Sequence, residues 1–313
     1  MATFEKEPRT KLNDSQKHNG LDDANLLFTE RDFQRVIKLV GDAAGISLGP
    51  HKQQMVYRRL SKRVRQKGFK RFADYLDLIE NDPQERQEFI DALTTNYTFF
   101  FREPHHFATL TRQLQYLKNL KRQPVKLWSA GCSTGEEPYS MAMCVVDVYG
   151  SFNTPVRILA TDISSKVLGL AELGVYTQEQ IENLSPQRLK RFFLKGTGQN
   201  EGYYLVRPEL KAMVAFRPFN FLETNWPMHG PFDAIFCRNV MIYFEKPTQR
   251  TILEKFIRVL ADDGLFYAGH SESFYHALDL LTSLGQTVYC KKGMPTPPFL
   301  EKTLTVKKHS HIP

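Results

Sequence analysis

The first part of the chain places apolar residues every three or four positions between charged ones. The stretch TERDFQRVIKLVGDAAG begins at Thr29, a residue type that caps helices, and closes at Gly45, a residue type that ends them. Three more stretches share this period: HKQQMVYRRLSKRVRQKG, RFADYLDLIEND and PQERQEFIDALTTN. The pattern predicts a small all-helical N-terminal domain over residues 26–104 and a linking helix over residues 105–124. Residues 1–25 are polar, and we expect a flexible N-terminus there.

After Pro124 the pattern changes to short apolar runs rich in β-formers, separated by helical segments. The runs are VKLWSAG, VRILATD, FDAIFCRNV, GLFYAGHS and QTVYCKK. Strands that alternate with helices are typical of a doubly wound, mostly parallel sheet, so we predict an α/β domain over residues 125–292. Between residues 176 and 219 the alternation is interrupted by a helix, a glycine loop and the strand candidates YYLVRPEL and MVAFRPF. We interpret residues 176–219 as an inserted antiparallel β-subdomain and residues 293–313 as a flexible tail.

The composition is ordinary for a soluble protein, since 42% of the 313 residues are hydrophobic and 24% are charged. The net charge of +8 suits an acidic partner, which leaves nucleic acid, anionic lipid and acidic protein open. No apolar run is long enough to cross a membrane, and the polar N-terminus does not resemble a signal peptide. The four cysteines lack metal-ligand spacing. We therefore expect a cytoplasmic protein with reduced core cysteines, no metal site and no membrane insertion.

The segment SAGCSTGEEPYS, residues 129–140, follows the first predicted strand and opens a helix. In an open α/β sheet the ligand lies beyond the carboxyl ends of the strands, so this turn is the expected site. Glu136 and Glu137 at the helix N-terminus oppose a phosphate but not a cation. S-adenosylmethionine carries a sulfonium and an ammonium, and Asp162, at the end of the second strand, suits its ribose. The two glutamates alone fit equally well as complements of the helix dipole; together with Asp162 they favour S-adenosylmethionine as the cofactor.

Six motifs stand in order between about Thr29 and Lys292: TTNYTFFFREPHHF, WSAGCSTGEEPYSMAM, ATDISSKVLGLAELGVY, KGTGQNEG, FDAIFCRNVMIYF and GLFYAGHSES. Together they resemble the bacterial chemotaxis receptor methyltransferases, the CheR family. The resemblance implies a class I S-adenosylmethionine-dependent methyltransferase that forms methyl esters on glutamate side chains of chemoreceptor cytoplasmic helices. It implies cofactor contacts at Asn96, Thr98, Arg102, Glu137 or its neighbour Glu136, Asp162, Asn220, Phe221, Arg238 and Asn239.

The resemblance also places Tyr243 near the reacting methyl group. A glutamate with a pKa of about 4.3 is already ionised at neutral pH, so the reaction needs no general base. We therefore predict Arg102 and Tyr243 as the catalytic residues, which orient carboxylates by hydrogen bonds. Two structural alternatives stay open, namely a salt bridge between domains for Arg102 and a packed aromatic role for Tyr243. His270, at the end of the fifth strand, is interpreted as structural.

A basic run, HKQQMVYRRLSKRVRQKGFKR, contains no acidic residue. Arg58, Arg59, Lys62, Arg63 and Arg65 fall on one predicted helix, which is either a docking face for an acidic receptor helix or a solvated face. The alternative function is a nucleic-acid methyltransferase. Enzymes that methylate base amino groups usually carry an Asn/Asp-Pro-Pro-aromatic sequence where this chain has RNVMIY, so we expect no nucleic-acid partner.

The inserted subdomain suggests a second contact with the receptor. Strands that project from a parallel sheet leave an edge of unpaired N–H and C=O groups, which can accept an extended peptide. The loop KGTGQNEG resembles that of family members that bind the C-terminal pentapeptide of the receptor. The alternative is a hairpin that only caps the cofactor cleft. We expect the enzyme to be a monomer.

Overall fold

The computed structural model describes residues 1–4 and 26–300, and the first element is a two-residue strand, β1 (Thr3–Phe4). Four helices then pack around one apolar core. They are α1 (Glu30–Ala44), α2 (Gln53–Gln66), α3 (Phe72–Asn81) and α4 (Pro83–Leu93). A fifth helix, α5 (Pro104–Asn119), leads into the second domain.

The bounds of α1 follow from its capping residues. The Thr29 side chain accepts a hydrogen bond from Asp32 N at 3.2 Å, and the Asp32 carboxylate accepts one from Thr29 N at 2.9 Å. This reciprocal capping satisfies two amide groups that the helix itself leaves unpaired. Gly45 ends the helix at φ +71°, a left-handed conformation that glycine adopts without steric cost.

The carboxylate of Glu85, which is 1% exposed, lies inside the helical domain. It accepts hydrogen bonds from Arg63 Nε at 2.6 Å and Tyr75 OH at 2.9 Å, and Lys67 Nζ lies 2.7 Å away. Burial alone would raise the pKa of Glu85, but the hydrogen bonds from Arg63, Lys67 and Tyr75 outweigh it and lower that pKa to about 2. Glu85 therefore ties α2, α3 and α4 together as a charged group.

Seven strands form the larger sheet. They are β2 (Val125–Ala130), β3 (Val156–Asp162), β7 (Val214–Pro218), β8 (Phe232–Cys237), β9 (Leu260–Ala268), β10 (Leu281–Gly285) and β11 (Val288–Lys291). Their order is β10-β11-β9-β8-β2-β3-β7, with the last five strands parallel and the β10–β11 hairpin antiparallel. Helices α6 (Glu136–Tyr149), α7 (Ser165–Leu173) and α10 (Lys246–Val259) connect them.

Both faces of this sheet are covered, as expected for parallel strands. Alternate residues of β8 belong to different apolar clusters: Ala234 and Phe236 to one, Ile235 and Cys237 to the other. All four cysteines of the chain are buried and free. None of the helices in the described part of the chain is long and apolar enough to span a membrane.

In the described part of the chain, the strands of a second, smaller sheet do not pair with those of the larger sheet. Its strands are β1, β4 (Val175–Thr177), β5 (Phe193–Gly196) and β6 (Tyr203–Val206), in the order β1-β5-β6-β4. The short helices α8 (Pro186–Phe192) and α9 (Pro208–Lys211) flank β5 and β6 along the chain. Strand β6 pairs antiparallel with both of its neighbours. The predicted fold class is thus confirmed: a helical domain, a mostly parallel α/β domain and an antiparallel β-subdomain.

Two details of the sequence-based assignment need correction. The run MVAFRPF was placed in the inserted subdomain, but Val214–Pro218 is the edge strand of the larger sheet, where it pairs parallel with β3. Residues 1–25 were expected to be flexible, but Thr3 and Phe4 form β1. Residues 5–25 lie outside the described part of the chain.

The predicted flexible tail is also described in part, up to residue 300. The ring of Phe299 lies 5.3 Å from that of Tyr116 on α5, and Leu300 is 8% exposed. The start of the tail therefore packs against the α/β domain. Residues 301–313 lie outside the described part of the chain.

Candidate active site

A cavity of about 360 Å³ lies where the helical domain meets the carboxyl ends of β2, β3 and β8. This is the place where open α/β sheets bind their ligands. All the predicted site residues except Glu136 line the cavity: Asn96, Thr98, Arg102, Glu137, Asp162, Asn220, Phe221, Arg238, Asn239 and Tyr243. Residues that are far apart in the sequence therefore line the same cavity.

The turn from β2 into α6 is fixed by two glycines. Gly131 has φ +91°, and a Cβ added there would lie 2.4 Å from Val240 Cγ2. Gly135 has φ +98° and stands at the N-cap of α6. Any larger residue at Gly131 would have to displace the side chain of Val240, in the loop after β8. The two glycines therefore allow a sharp turn that brings Glu137, in the first turn of α6, to the cavity.

The two adjacent glutamates have different surroundings. Glu137 Oε1 accepts a hydrogen bond from Ser129 Oγ at 2.7 Å, and Glu137 Oε2 accepts one from Arg238 Nη1 at 3.0 Å. Burial raises the pKa of Glu137, and the nearby Arg238 opposes that shift. Glu136 Oε2 accepts a hydrogen bond from Thr134 Oγ1 at 2.6 Å and does not line the cavity. Of the pair, the geometry favours Glu137 as the one that meets a ligand.

Asp162 ends β3 and holds the glycine turn. Its carboxylate accepts hydrogen bonds from Ser133 N at 2.9 Å and Ser164 N at 3.0 Å. Burial raises the pKa of Asp162, and these two N–H groups oppose the shift. Ser133 was not predicted as a site residue, but it lines the cavity and donates from Oγ to Asn96 O at 3.1 Å. Its position inside the glycine turn was the only signal in the sequence.

The loop after β8 depends on a residue that the sequence analysis missed. Glu272, which is 5% exposed, accepts hydrogen bonds from the backbone N–H groups of Asn239 at 3.0 Å, Val240 at 2.9 Å and Met241 at 2.7 Å. Gly269 N donates to the same carboxylate. Asn239 has φ +60°, an unusual value for a residue with a side chain. The carboxylate therefore holds a strained loop that carries Asn239 to the cavity.

The comparisons with known proteins agree with this geometry. The description "CheR methyltransferase, all-alpha domain" matches residues 31–94, and "CheR methyltransferase, SAM binding domain" matches residues 96–290. The chain belongs to the CheR family. "Chemotaxis protein methyltransferase 2" of Pseudomonas aeruginosa is 50% identical over 266 residues, which cover 84% of this chain and 93% of the relative. "Chemotaxis protein methyltransferase" of Escherichia coli is 46% identical over 266 residues, which cover 84% and 92%.

The predicted family and cofactor are thereby confirmed, and this CheR chain is a methyltransferase that uses S-adenosylmethionine. The residues at the site fit the cofactor, since the buried carboxylate of Glu137 suits its ammonium and the half-buried carboxylate of Asp162 suits its ribose hydroxyls. Asn220, predicted as a cofactor contact, also has a structural role: its Nδ2 donates to Ala43 O of α1 at 2.7 Å. Phe221 packs in the apolar cluster of the α/β domain, with its ring 6.3 Å from that of Phe244.

The two predicted catalytic residues of this CheR chain stand at the domain junction. Arg102 Nη1 donates to Tyr97 O at 2.9 Å, and its guanidinium lies 5.8 Å from the centre of the Tyr97 ring. Within residues 1–4 and 26–300, Arg102 forms no ion pair, so the salt-bridge alternative finds no support there. Tyr243 packs against the core of the helical domain, and its carbonyl accepts a hydrogen bond from Ser47 N at 2.8 Å. Both the packing role and a role at the cavity are therefore compatible with its position.

The basic helix α2 divides into two groups of residues. Arg59 donates to Leu93 O and to Thr94 O at 3.1 Å, and Arg63 pairs with Glu85. These two arginines hold the helical domain together. The other three basic residues of α2 are exposed: Arg58, Lys62 and Arg65. A docking face on α2 would therefore consist of these three.

Two further groups near the site carry no predicted chemistry. His270 is exposed and does not line the cavity. Glu103, His105 and His106 place three possible metal-ligand atoms within 4.8 Å of one another. Arg238 Nη2 lies 3.3 Å from Glu103 Oε2, so the carboxylate of this group already has a cationic partner. We assign no metal to this group.

Proposed function

We propose that this protein transfers the methyl group of S-adenosylmethionine to glutamate side chains on the cytoplasmic helices of chemoreceptors, forming methyl esters. One observation carries the proposal: a single cavity brings together the carboxylates of Glu137 and Asp162 and two groups suited to a substrate carboxylate, Arg102 and Tyr243. The relatives are named chemotaxis protein methyltransferases, which supports a substrate from the chemotaxis system.

The residues of the cavity divide into two roles under this proposal. Asp162 meets the ribose hydroxyls, and Glu137 faces the ammonium of the methionine part. Asn96, Thr98, Asn220, Phe221, Arg238 and Asn239 complete the walls around the cofactor. Since both oxygens of Glu137 already accept hydrogen bonds, the carboxylate is fixed in place before a ligand arrives.

The chemistry then requires little more than positioning. The bound cofactor supplies an electrophilic methyl group on a sulfonium. The substrate glutamate is ionised at neutral pH, and none of the described residues that line the cavity is a histidine. Arg102 and Tyr243 hold the carboxylate in line, and alignment of this kind can lower the barrier by up to about 7–11 kcal/mol. Exclusion of water once cofactor and substrate fill the cavity would favour a transition state in which an anion and a cation neutralise each other.

Receptor contacts outside the cavity complete the proposal. The exposed group Arg58, Lys62 and Arg65 on α2 offers positive charge to an acidic receptor helix. The smaller sheet offers a strand edge for the receptor C-terminal pentapeptide, which would raise the local substrate concentration. The four free cysteines suit the reducing cytoplasm, where the receptor helices lie.

The test is transfer of radiolabelled methyl from S-adenosylmethionine to purified chemoreceptor. We expect label on the receptor that is released by mild base, as for an ester, and a loss of most turnover in Arg102→Ala. Arg157→Ala is the matched control, since Arg157 is exposed at the other end of β3 and should leave turnover unchanged. Label on nucleic acid instead of receptor, or base-stable label, would contradict the proposal.

A further inference from the structure

The outer edge of the smaller sheet is occupied by the first residues of the chain itself. Strand β5 pairs with β6 on one side and with β1 on the other. Thr3 lies opposite Lys195, and Phe4 lies opposite Gly196, in a parallel register. Lys195 N donates to Ala2 O at 2.9 Å, and Thr197 N donates to Phe4 O at 3.3 Å. Without these residues, the outward N–H groups of Lys195 and Thr197 would have no strand to pair with.

This edge has room for one strand at a time. The backbone groups of β5 that face outward are the same groups that any added strand must use. A peptide that extends the sheet at β5 therefore competes directly with residues 1–4.

The contact with β1 is small enough to be displaced. It covers two residue pairs in the parallel arrangement, whereas β5 and β6 form three antiparallel pairs. Thr3 is exposed and Phe4 is only half-buried. Parallel pairing is slightly less stable per residue than antiparallel pairing. The N-terminal segment is thus held in place without being part of the core.

We propose that residues 1–4 act as a built-in ligand that covers the strand-accepting edge of β5, and that a receptor peptide must displace them to bind there. The occupancy follows from the pairing alone, while its role in receptor tethering rests on the proposed function. The apparent association constant for the peptide is then the intrinsic constant multiplied by the fraction of molecules whose β5 edge is free. Methyl transfer itself does not depend on it, since none of these residues lines the cavity.

A pair of proline variants tests the proposal. Peptide groups alternate along a strand, and Ala2 and Phe4 are the residues whose carbonyls face β5. Phe4→Pro therefore removes an N–H that faces β5, whereas Thr3→Pro removes one that faces away and is tolerated at an edge. In hydrogen exchange, we expect the amides of Lys195 and Thr197 to exchange at least fivefold faster in Phe4→Pro and at the wild-type rate in Thr3→Pro. Equal exchange in all three proteins would overturn the occupancy.

Titration with a synthetic receptor-tail pentapeptide tests the competition in the same three proteins. We expect Phe4→Pro to bind it about fivefold or more tightly than the wild type, and Thr3→Pro to match the wild type. Equal affinities, or no binding to any of the three, would overturn the competition. Methylation of a receptor that lacks the tail, measured in parallel, shows separately whether the proposed function holds, and we expect it to be the same in all three proteins.

Discussion

Replacing Glu272 with glutamine would test whether the loop after β8 must be held by a charge. The carboxylate accepts four backbone N–H groups, two on each oxygen. Burial raises the pKa of Glu272, and these four donors oppose the shift and favour the ionised form. Glutamine has the same shape but only one acceptor oxygen, so two of the four N–H groups would face an NH2 group instead.

The magnitude follows from those two lost bonds. Hydrogen bonds to a charged group contribute about 1.5–3 kcal/mol each, so Glu272→Gln should cost about 3 kcal/mol or more before the loop relaxes. The free energy of unfolding of a typical domain is about 5–15 kcal/mol, so a domain can lose this amount and stay folded. The loop carries Arg238, Asn239 and Tyr243 to the cavity, so its relaxation displaces them. We expect cofactor affinity to fall at least tenfold, equivalent to about 1.4 kcal/mol.

Calorimetry with S-adenosylhomocysteine and thermal unfolding measure the two effects separately. Glu85→Gln is the matched control, because Glu85 is an equally buried carboxylate that binds side chains of the helical domain. It should lower stability and leave cofactor affinity unchanged. A folded Glu272→Gln variant with wild-type cofactor affinity would refute the role of the carboxylate in holding the loop.

Three other predictions follow. Asp162→Ala should weaken cofactor binding by about 1.5–3 kcal/mol, as measured by calorimetry, and unchanged affinity would exclude it as the ribose ligand. Neutralising Arg58, Lys62 and Arg65 together should raise the KM for receptor at low salt without changing cofactor affinity; an unaltered KM would leave α2 a solvated face. Since the pKa of Glu85 is lowered from 4.5 to about 2, its stabilisation is complete above pH 4.5 and lost as pH falls towards 2. Acid unfolding of Glu85→Gln should lack this component, and an identical acid profile would contradict it.

The sequence predicted those parts of the fold that depend on local pattern. The capping signal at Thr29 and the apolar runs after Pro124 correspond to helices and strands of the structure. The hairpin between β10 and β11 was missed because its turn residues, Gln286 and Thr287, both have positive φ without the usual Asn-Gly or Gly signal. The assignment of Val214–Pro218 was wrong because only the partner strand decides the sheet to which a short strand belongs.

In the candidate site too, local sequence pattern predicted some residues, and tertiary packing placed the others. Asp162 and Glu137, predicted from their places at a strand end and a helix start, line the cavity, whereas Glu136, predicted in the same way, does not. Glu272 could not be predicted in the same way, because its role depends on the loop after β8, more than thirty residues earlier in the chain. The basic run likewise gave no indication that Arg59 and Arg63 are engaged inside the domain. Side-chain direction, which tertiary packing sets, decides such roles.

Residues of both domains line the cavity, and several hydrogen bonds join the domains around it. Asn220 Nδ2 donates to Ala43 O at 2.7 Å, Ser47 N donates to Tyr243 O at 2.8 Å, and Gln87 Nε2 donates to Ile163 O at 2.9 Å. A ligand that fills the cavity therefore fastens the helical domain to the sheet, adding about 2.7 kcal/mol of stability at a hundred times its Kd. The coupling between cofactor binding and domain docking is reciprocal. Any partner that shifts the helical domain on docking changes cofactor affinity by the same factor as the cofactor changes the affinity of that partner.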